Sequence, residues 1–507
     1  MAKGSSRGDG RAADGGAAIR CRRIRSWVER GASVLAACVL SWPASSHARP
    51  TAPVIFCEAY PDSPECLGRV ANCAECHVST APPAWNAYGE QLRAVLPREQ
   101  SFEEELPAAL VAVEGDDADT DGDGNREEIL SGTLPGDPFS FWQAPAPAEG
   151  IDNPQFAVGE YDHRFALKRV MVTYCGRSPS YAELSGFEAG LESLAESQLT
   201  EQRHERLHAA LDACLRSDYF GKVMLPRLAD KRIRPLFAIG QDTSVRIGDA
   251  RLVIGDYGYD YRLWRYGLTG DRDMRELLTA QYHVEENAAG ELVRVEGTIA
   301  QPDPTALAGG QSLVPERRAG LLTTQWFLAI NTMFSGLPRT TAAQAYRSFL
   351  GADLAQSDGI RPVPGEPVDI DDKGVDGAVC AQCHSTLDPL AYAFAKYEGI
   401  GDYASGFGAY DPTRTERYLP GWSDTAQQAW LLGQPVADLL EWANVAAASD
   451  EFKRNMADIF FQQALNREPA PDEEAEFRAL WQSLPGDGYS AWRLIHRLVD
   501  TSAFGVP

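Results

Sequence analysis

Cys73-Ala74-Glu75-Cys76-His77 recurs as Cys380-Ala381-Gln382-Cys383-His384, and these two five-residue stretches decide how the rest of the chain is read. With cysteine and histidine each near ~2% of residues, a given position matches this pattern by chance about once in 10⁵, so two copies are no accident. Cysteines three apart lie on one face of a helix, where both thiols can reach the two vinyl groups of one haem. The histidine that follows lies beneath the macrocycle, where its imidazole can bind the iron. Two other chemistries use paired cysteines. A shared tetrahedral zinc site is disfavoured because the motifs stand 307 residues apart with no second pair beside either. A thioredoxin-like redox pair is disfavoured because neither motif follows a strand pattern. The expectation is therefore two covalent haem c groups, at Cys73, Cys76 and His77 and at Cys380, Cys383 and His384.

No distal ligand stands out. No methionine lies between His77 and Met171, so the first haem is His-ligated, ligated from another domain, or open. After His384 only Met456 and His496 remain. Met456 shares a helical face with Phe452, Ile459 and Phe460, which reads as core packing. His496 stands four residues from Trp492 and reads as a structural histidine. His204 and His208 form an i, i+4 pair able to bind metal, but their polar surroundings read as a solvated helix face.

Forty residues after the first motif, Asp117-Ala-Asp119-Thr-Asp121-Gly122-Asp123-Gly-Asn125-Arg-Glu-Glu128 matches a twelve-residue calcium loop. Asp117, Asp119, Asp121, Asn125 and Glu128 fall at the side-chain ligand positions, and Asp123 at the position that lends a backbone carbonyl. Gly124 occupies a position that is normally apolar, which suits an isolated structural clip better than one hand of a paired sensor. Calcium is expected here.

The leader fits a haem c protein, which is matured after export. Residues 1–30 hold eight basic and three acidic side chains, an apolar stretch follows to Trp42, and Ser46-x-Ala48 is a cleavage site. Leu35-Ala-Ala-Cys38 also resembles a lipoprotein box, a minority reading that would tether the protein at Cys38, and Arg22-Arg23 is a weak twin-arginine signal. Removing residues 1–48 leaves 39 basic and 69 acidic side chains, a net charge of −30. Such a surface argues against contact with nucleic acid or anionic lipid and favours a basic redox partner or a small molecule. The four remaining mature cysteines outside the motifs pair by elimination as Cys57 with Cys66 and Cys175 with Cys214, as an oxidising compartment permits.

The chain is expected to be mostly α, with cytochrome c-like haem modules flanking a larger helical domain and minor β decoration. After the signal peptide at 1–48, residues 49–150 form an N-terminal haem module with the calcium loop, closed by the Pro- and Ala-rich linker at 144–150. Residues 151–370 read as a helical middle domain with a capping box at Ser180-x-x-Glu183, helical periodicity through 207–225 and 321–334, and short β pieces near 244–254 and 291–299. Residues 371–420 carry the second haem module. Residues 421–507 form a helical C-terminal region in which Ser449 or Asp450 starts the helix at 452–465.

Taken with its neighbours, Cys380-x-x-Cys383-His384-x-x-x-Asp388-Pro389-Leu390 followed by Tyr397-Glu-Gly-Ile400-Gly401 resembles the exported planctomycete- and myxobacteria-type cytochrome-related proteins. Further likeness lies in Tyr161-Asp162, Tyr174-Cys-Gly-Arg-Ser-Pro-Ser-x-x-Glu183, Arg318-Ala-Gly-Leu-Leu-Thr323, Ala464-Leu-Asn-Arg467 and Ser502-Ala-Phe504. Residues 71–136 resemble the haem modules fused to such proteins. The resemblance implies haem c and export more securely than a reaction. Ala391 and Glu398-Gly399 depart from the family's pattern.

The function expected is that of an exported dihaem c-type cytochrome, periplasmic or extracellular, that transfers single electrons. One alternative is a peroxidase- or oxygenase-like oxidoreductase with one open haem; another is a docking or binding scaffold that carries haem. No catalytic triad, phosphate-binding loop or carboxylate pair assigns a catalytic residue.

Overall fold

The computed structural model describes residues 49, 51–78, 84–140, 159–191, 193–235, 244–247, 250–253, 257–298, 313–400 and 408–507. Residues 1–48, read as a signal peptide, with Cys38, and the Pro- and Ala-rich segment at 144–150 lie outside them. The protein is mostly α-helical. Its described strands form three antiparallel two-stranded hairpins: Ser244–Ile247 with Ala250–Val253, His283–Glu286 with Leu292–Val295, and Ala429–Leu431 with Gln434–Val436. No described helix is long and apolar enough to cross a membrane.

Apolar residues gather into two cores. The smaller lies between Phe56 and Ile129 and is built on Tyr88, Leu92, Leu106 and Leu110 from two short helices, Ala87–Val95 and Phe102–Ala112. The larger runs without a break from Ala166 to Phe504, with Trp264, Trp442 and Trp481 fully buried. Residues from the middle region, the second motif and the C-terminal region thus share one apolar interior.

Local chemistry accounts for where the helices start. Ser180 and Glu183 make a reciprocal capping box at Tyr181–Glu188, and Ser449 Oγ accepts from Phe452 N at 3.1 Å to open Asp450–Leu465. The periodicity through 207–225 is divided: one helix, Glu196–Leu215, ends before Ser217, and a π-type turn, Phe220–Met224, leads into Leu225–Ile233. The run at 321–334 is likewise a 3₁₀ turn, Gly320–Thr323, followed by Gln325–Thr332, with Thr324 as the new cap.

Cys57–Cys66 and Cys175–Cys214 are disulfide-bonded. The second bond joins the C-terminal ends of His163–Tyr174 and Glu196–Leu215. The first described helix of the larger core is also fastened to the end of the chain. Tyr161 Oη donates to Val499 O at 2.6 Å, Asp162 N donates to Gly505 O at 3.0 Å, and Arg169 Nη1 donates to the carbonyls of Ala503 and Phe504. Gly505 lies directly beneath the Tyr161 ring, where a Cβ would sit 2.0 Å from a ring carbon.

Candidate functional site

The first motif is a 3₁₀ turn, Cys73–Glu75, rather than the α-helical segment its spacing suggests. Asn72 Oδ1 accepts from Ala74 N at 3.1 Å to start it, and His77 N donates to Cys73 O at 3.0 Å to close it. Asn86 holds the turn from the other side. Its Nδ2 donates to the carbonyls of Ala74 and Glu75 at 3.0 Å each, while its Oδ1 caps the next helix at Gly89 N. That helix approaches so closely that a Cβ on Gly89 would sit 2.1 Å from Cys76 O, so only glycine fits. The His77 ring lies 4.4 Å from Trp85, and burial pushes its pKa below the ordinary histidine value, towards the neutral imidazole that binds metals.

The second motif lies inside a fifteen-residue α-helix, Ala378–Tyr392. Pro389 interrupts its hydrogen-bond ladder, and the carbonyl freed four residues earlier, at Ser385, accepts from Val363 N at 3.0 Å. Thr386 Oγ1 accepts from Arg361 N at 2.9 Å, so residues 361–363 run along the motif helix. His384 Nδ1 is 2.8 Å from Asp388 Oδ1. The fully buried Asp388 is gripped by Arg339 through Nε at 2.6 Å and Nη2 at 2.7 Å, and Arg339 also bonds Asp371 at 2.6 and 3.0 Å. Burial works to raise the Asp388 pKa, but the Arg339 and His384 hydrogen bonds outweigh it and hold the carboxyl below its usual range. The chain from Asp388 to Asp371 fixes the His384 ring by Nδ1 and leaves Nε2 for an iron.

The four motif cysteines are not disulfide-bonded, whereas the other four described cysteines all are. Burial pushes the thiols of Cys73, Cys76 and Cys383 up, opposite to the lowered pKa of a redox-active or thiolate nucleophile cysteine. Ser357 partly offsets the burial that raises the Cys383 thiol, and the charge of the adjacent Asp358 adds to the burial that raises the Cys73 thiol. A cavity of about 430 Å³ has Ala74 and Glu75 on one wall and Asp358 and Arg361 on another.

The acidic loop gathers carboxylates. Ligand oxygens of Asp117, Asp119 and Asp121 lie within 4.8 Å of one another. Backbone amides of Thr120 and Gly122 hold both oxygens of Asp117, while Asp119 and Asp121 each have one oxygen held, by Asp121 N and Asp123 N. The second oxygens of Asp119 and Asp121 and both oxygens of buried Glu128 have no hydrogen-bond partner. Burial, followed by the charges of Asp119, Asp121, Asp123 and Asp117, pushes the Glu128 pKa up to about 8. Partnerless buried carboxylate oxygens fit a hard cation. Asn125 departs from the expected ligand set. It is fully buried, its Nδ2 donates to Gln91 Oε1 and Val113 O, and its Oδ1 accepts from Ala118 N, so it braces the loop instead of facing the cluster.

A further constellation was not assembled by sequence reasoning. His204 and His208, read as a solvated face, and His496, read as a structural residue, meet one another and Asp500. The signal that could have found the first two is the run His204-Glu205-Arg206-Leu207-His208, since histidines four apart around a glutamate are a metal-binding spacing on a helix. Asp500 lies 292 residues from His208 and carries no local signal. Compared with known protein families, curated proteins and solved structures, the chain matches none.

Proposed function

We propose that this chain is an exported dihaem c-type cytochrome that transfers single electrons, resembling the planctomycete- and myxobacteria-type cytochrome-related proteins. One observation carries the reading: both Cys-x-x-Cys-His motifs keep unbridged thiols next to a histidine, while the remaining described cysteines are oxidised in pairs. Haem c bound at these motifs supplies one-electron iron chemistry at a potential set by its axial ligands and their surroundings. Cys73 and Cys76, and Cys380 and Cys383, hold the porphyrins by thioether links. His77 and His384 would bind the iron through their imidazoles. Asp388 accepts from His384 Nδ1 and, clamped by Arg339, fixes the ring and increases its donor strength. The acidic loop holds calcium through Asp117, Asp119, Asp121 and Glu128, with Asp123 lending its backbone carbonyl. The two disulfides suit an oxidising compartment outside the cytoplasm.

Expression in a host competent for haem c maturation tests this. Two haems per chain by pyridine haemochrome and a matching intact mass are expected, and each double variant, Cys73→Ala/Cys76→Ala and Cys380→Ala/Cys383→Ala, should lose one. A colourless product with the mass of bare polypeptide overturns the proposal.

One observation favours a second reading, an oxidoreductase with an open iron. Both distal candidates after the second motif are committed elsewhere. Met456 is fully buried in the core, and His496 bonds His208 and Asp212. Rapid binding of carbon monoxide to one haem of the reduced protein supports this reading, and two haems inert to it support electron transfer alone.

A further inference from the structure

His204 and His208 stand one turn apart on Glu196–Leu215, so both imidazoles project from one face of that helix, with ring centroids 4.1 Å apart. The Nε2 of His204 lies 3.1 Å, and that of His208 2.7 Å, from the same oxygen, Asp500 Oδ1. Asp500 closes the C-terminal end of Ala491–Val499, a helix that the long helix meets only in the folded molecule. Metal–ligand bonds of ~2.0–2.2 Å set at octahedral to tetrahedral angles place neighbouring donor atoms about 2.9–3.4 Å apart. The two nitrogen–oxygen separations need change by only a few tenths of an ångström, and all three donor atoms lie within 4.8 Å of one another.

A second shell orients the donors. His208 Nδ1 is 2.7 Å from His496 Nδ1, and His496 Nε2 is 3.0 Å from Asp212 Oδ1. Two ring nitrogens in contact need a proton between them. With Asp212 accepting from His496 Nε2–H, the His496 Nδ1 is an acceptor, and His208 Nδ1–H donates to it. In that arrangement the His208 Nε2 lone pair faces the Asp500 carboxylate, and a cation between them is held by both. His204 converges on the same oxygen, so one cation can be held by all three donors at once. His163 also lies within electrostatic reach of His204 and Asp500, so four of the chain's eight histidines gather at one place. His204 and Asp500 are partly exposed, at 49% and 39%, which leaves room for water to complete a coordination sphere.

We propose that His204 Nε2, His208 Nε2 and Asp500 Oδ1 form a binding site for a divalent transition metal of the zinc class, with His496 and Asp212 as positioning residues that fix the ligating tautomer of His208. Imidazole donors select such ions over calcium and magnesium, which the all-carboxylate loop suits instead. Glu205 is exposed and accepts from Gln202 Nε2 at 2.9 Å, so metal binding is assigned to the cluster and no hydrolytic step.

The test uses the full mature chain as purified, with any free thiols alkylated and calcium in excess to occupy the acidic loop. Calorimetric titration with Zn²⁺ should show one site per chain. His208→Ala and Asp500→Asn should each weaken it at least tenfold, and His496→Gln by roughly ten- to a hundredfold, as loss of an outer-shell partner does. X-ray absorption at the zinc edge of the wild-type complex should show a nitrogen and oxygen shell with imidazole scattering, a readout that needs no variant to fold. Absence of zinc binding, affinity unchanged in His204→Ala/Asp500→Asn, or a shell without imidazole overturns the proposal. None of these outcomes depends on whether haem is attached.

Discussion

Asp388 shows how much a single residue carries. It is fully buried, faces His384 on one side and Arg339 on the other, and its removal leaves the largely buried Arg339 guanidinium with one partner fewer. Breaking one partner of a buried ion pair costs about 3–5 kcal/mol, so Asp388→Ala should lower the melting temperature by several degrees. Asp388→Asn keeps the shape but not the charge, and if haem is bound at the proposed second site, a redox titration should find its midpoint raised, because a less electron-rich imidazole stabilises the ferric state less. At the first motif the sensitive residue is Gly89. Gly89→Ala drives a Cβ into Cys76 O, and denaturant unfolding should show the N-terminal module destabilised by about 1–3 kcal/mol. The Cys-x-x-Cys-His residues were legible in the sequence because their spacing is local. Arg339 and Asp371 were not, because nothing near them in the chain signals that they support His384.

At the scale of elements, local physics again separates what could be read from what could not. Ser180 and Ser449 marked helix starts correctly because capping acts within three residues. The hairpin strand His283–Glu286 escaped because four residues ending in two glutamates show no clear alternation; it is defined by its pairing with Leu292–Val295. Asn125 was placed among the calcium ligands because its position fits the loop pattern, whereas burial turns its amide inwards to Val113 and Gln91. The acidic loop should behave as a clip. Chelating calcium should lower the melting temperature of the N-terminal module, since a ligand present at 100 times its Kd stabilises by about 2.7 kcal/mol, and Glu128→Gln should shrink that difference. In the C-terminal helices, Arg497 hydrogen bonds hold Asp487 below the usual carboxylate range. Burial would raise Glu473, but Arg467 outweighs it and holds it low as well. A depressed folded pKa contributes stability above the unfolded value, near 4, that is lost as pH falls through the folded one. Melting temperature should therefore drop on acidification below about pH 4, and less steeply in Arg467→Ala and Arg497→Ala.

For the whole molecule, the acidic surface is the dominant long-range feature. A net charge of −25 over the full sequence should steer a basic redox partner, so the association rate measured by stopped flow should fall steeply as salt shortens the screening length. A rate independent of ionic strength would count against such a partner. The stitching of the residue 161–169 segment to the last turns has a different consequence. Besides their local contacts, Tyr161, Asp162 and Arg169 bond to the backbone of residues 499–505, so the two ends of the larger core hold each other in place. Loosening residues 499–505 should therefore free amide protons in a segment more than three hundred residues upstream, and hydrogen exchange at residues 161–169 reads that coupling.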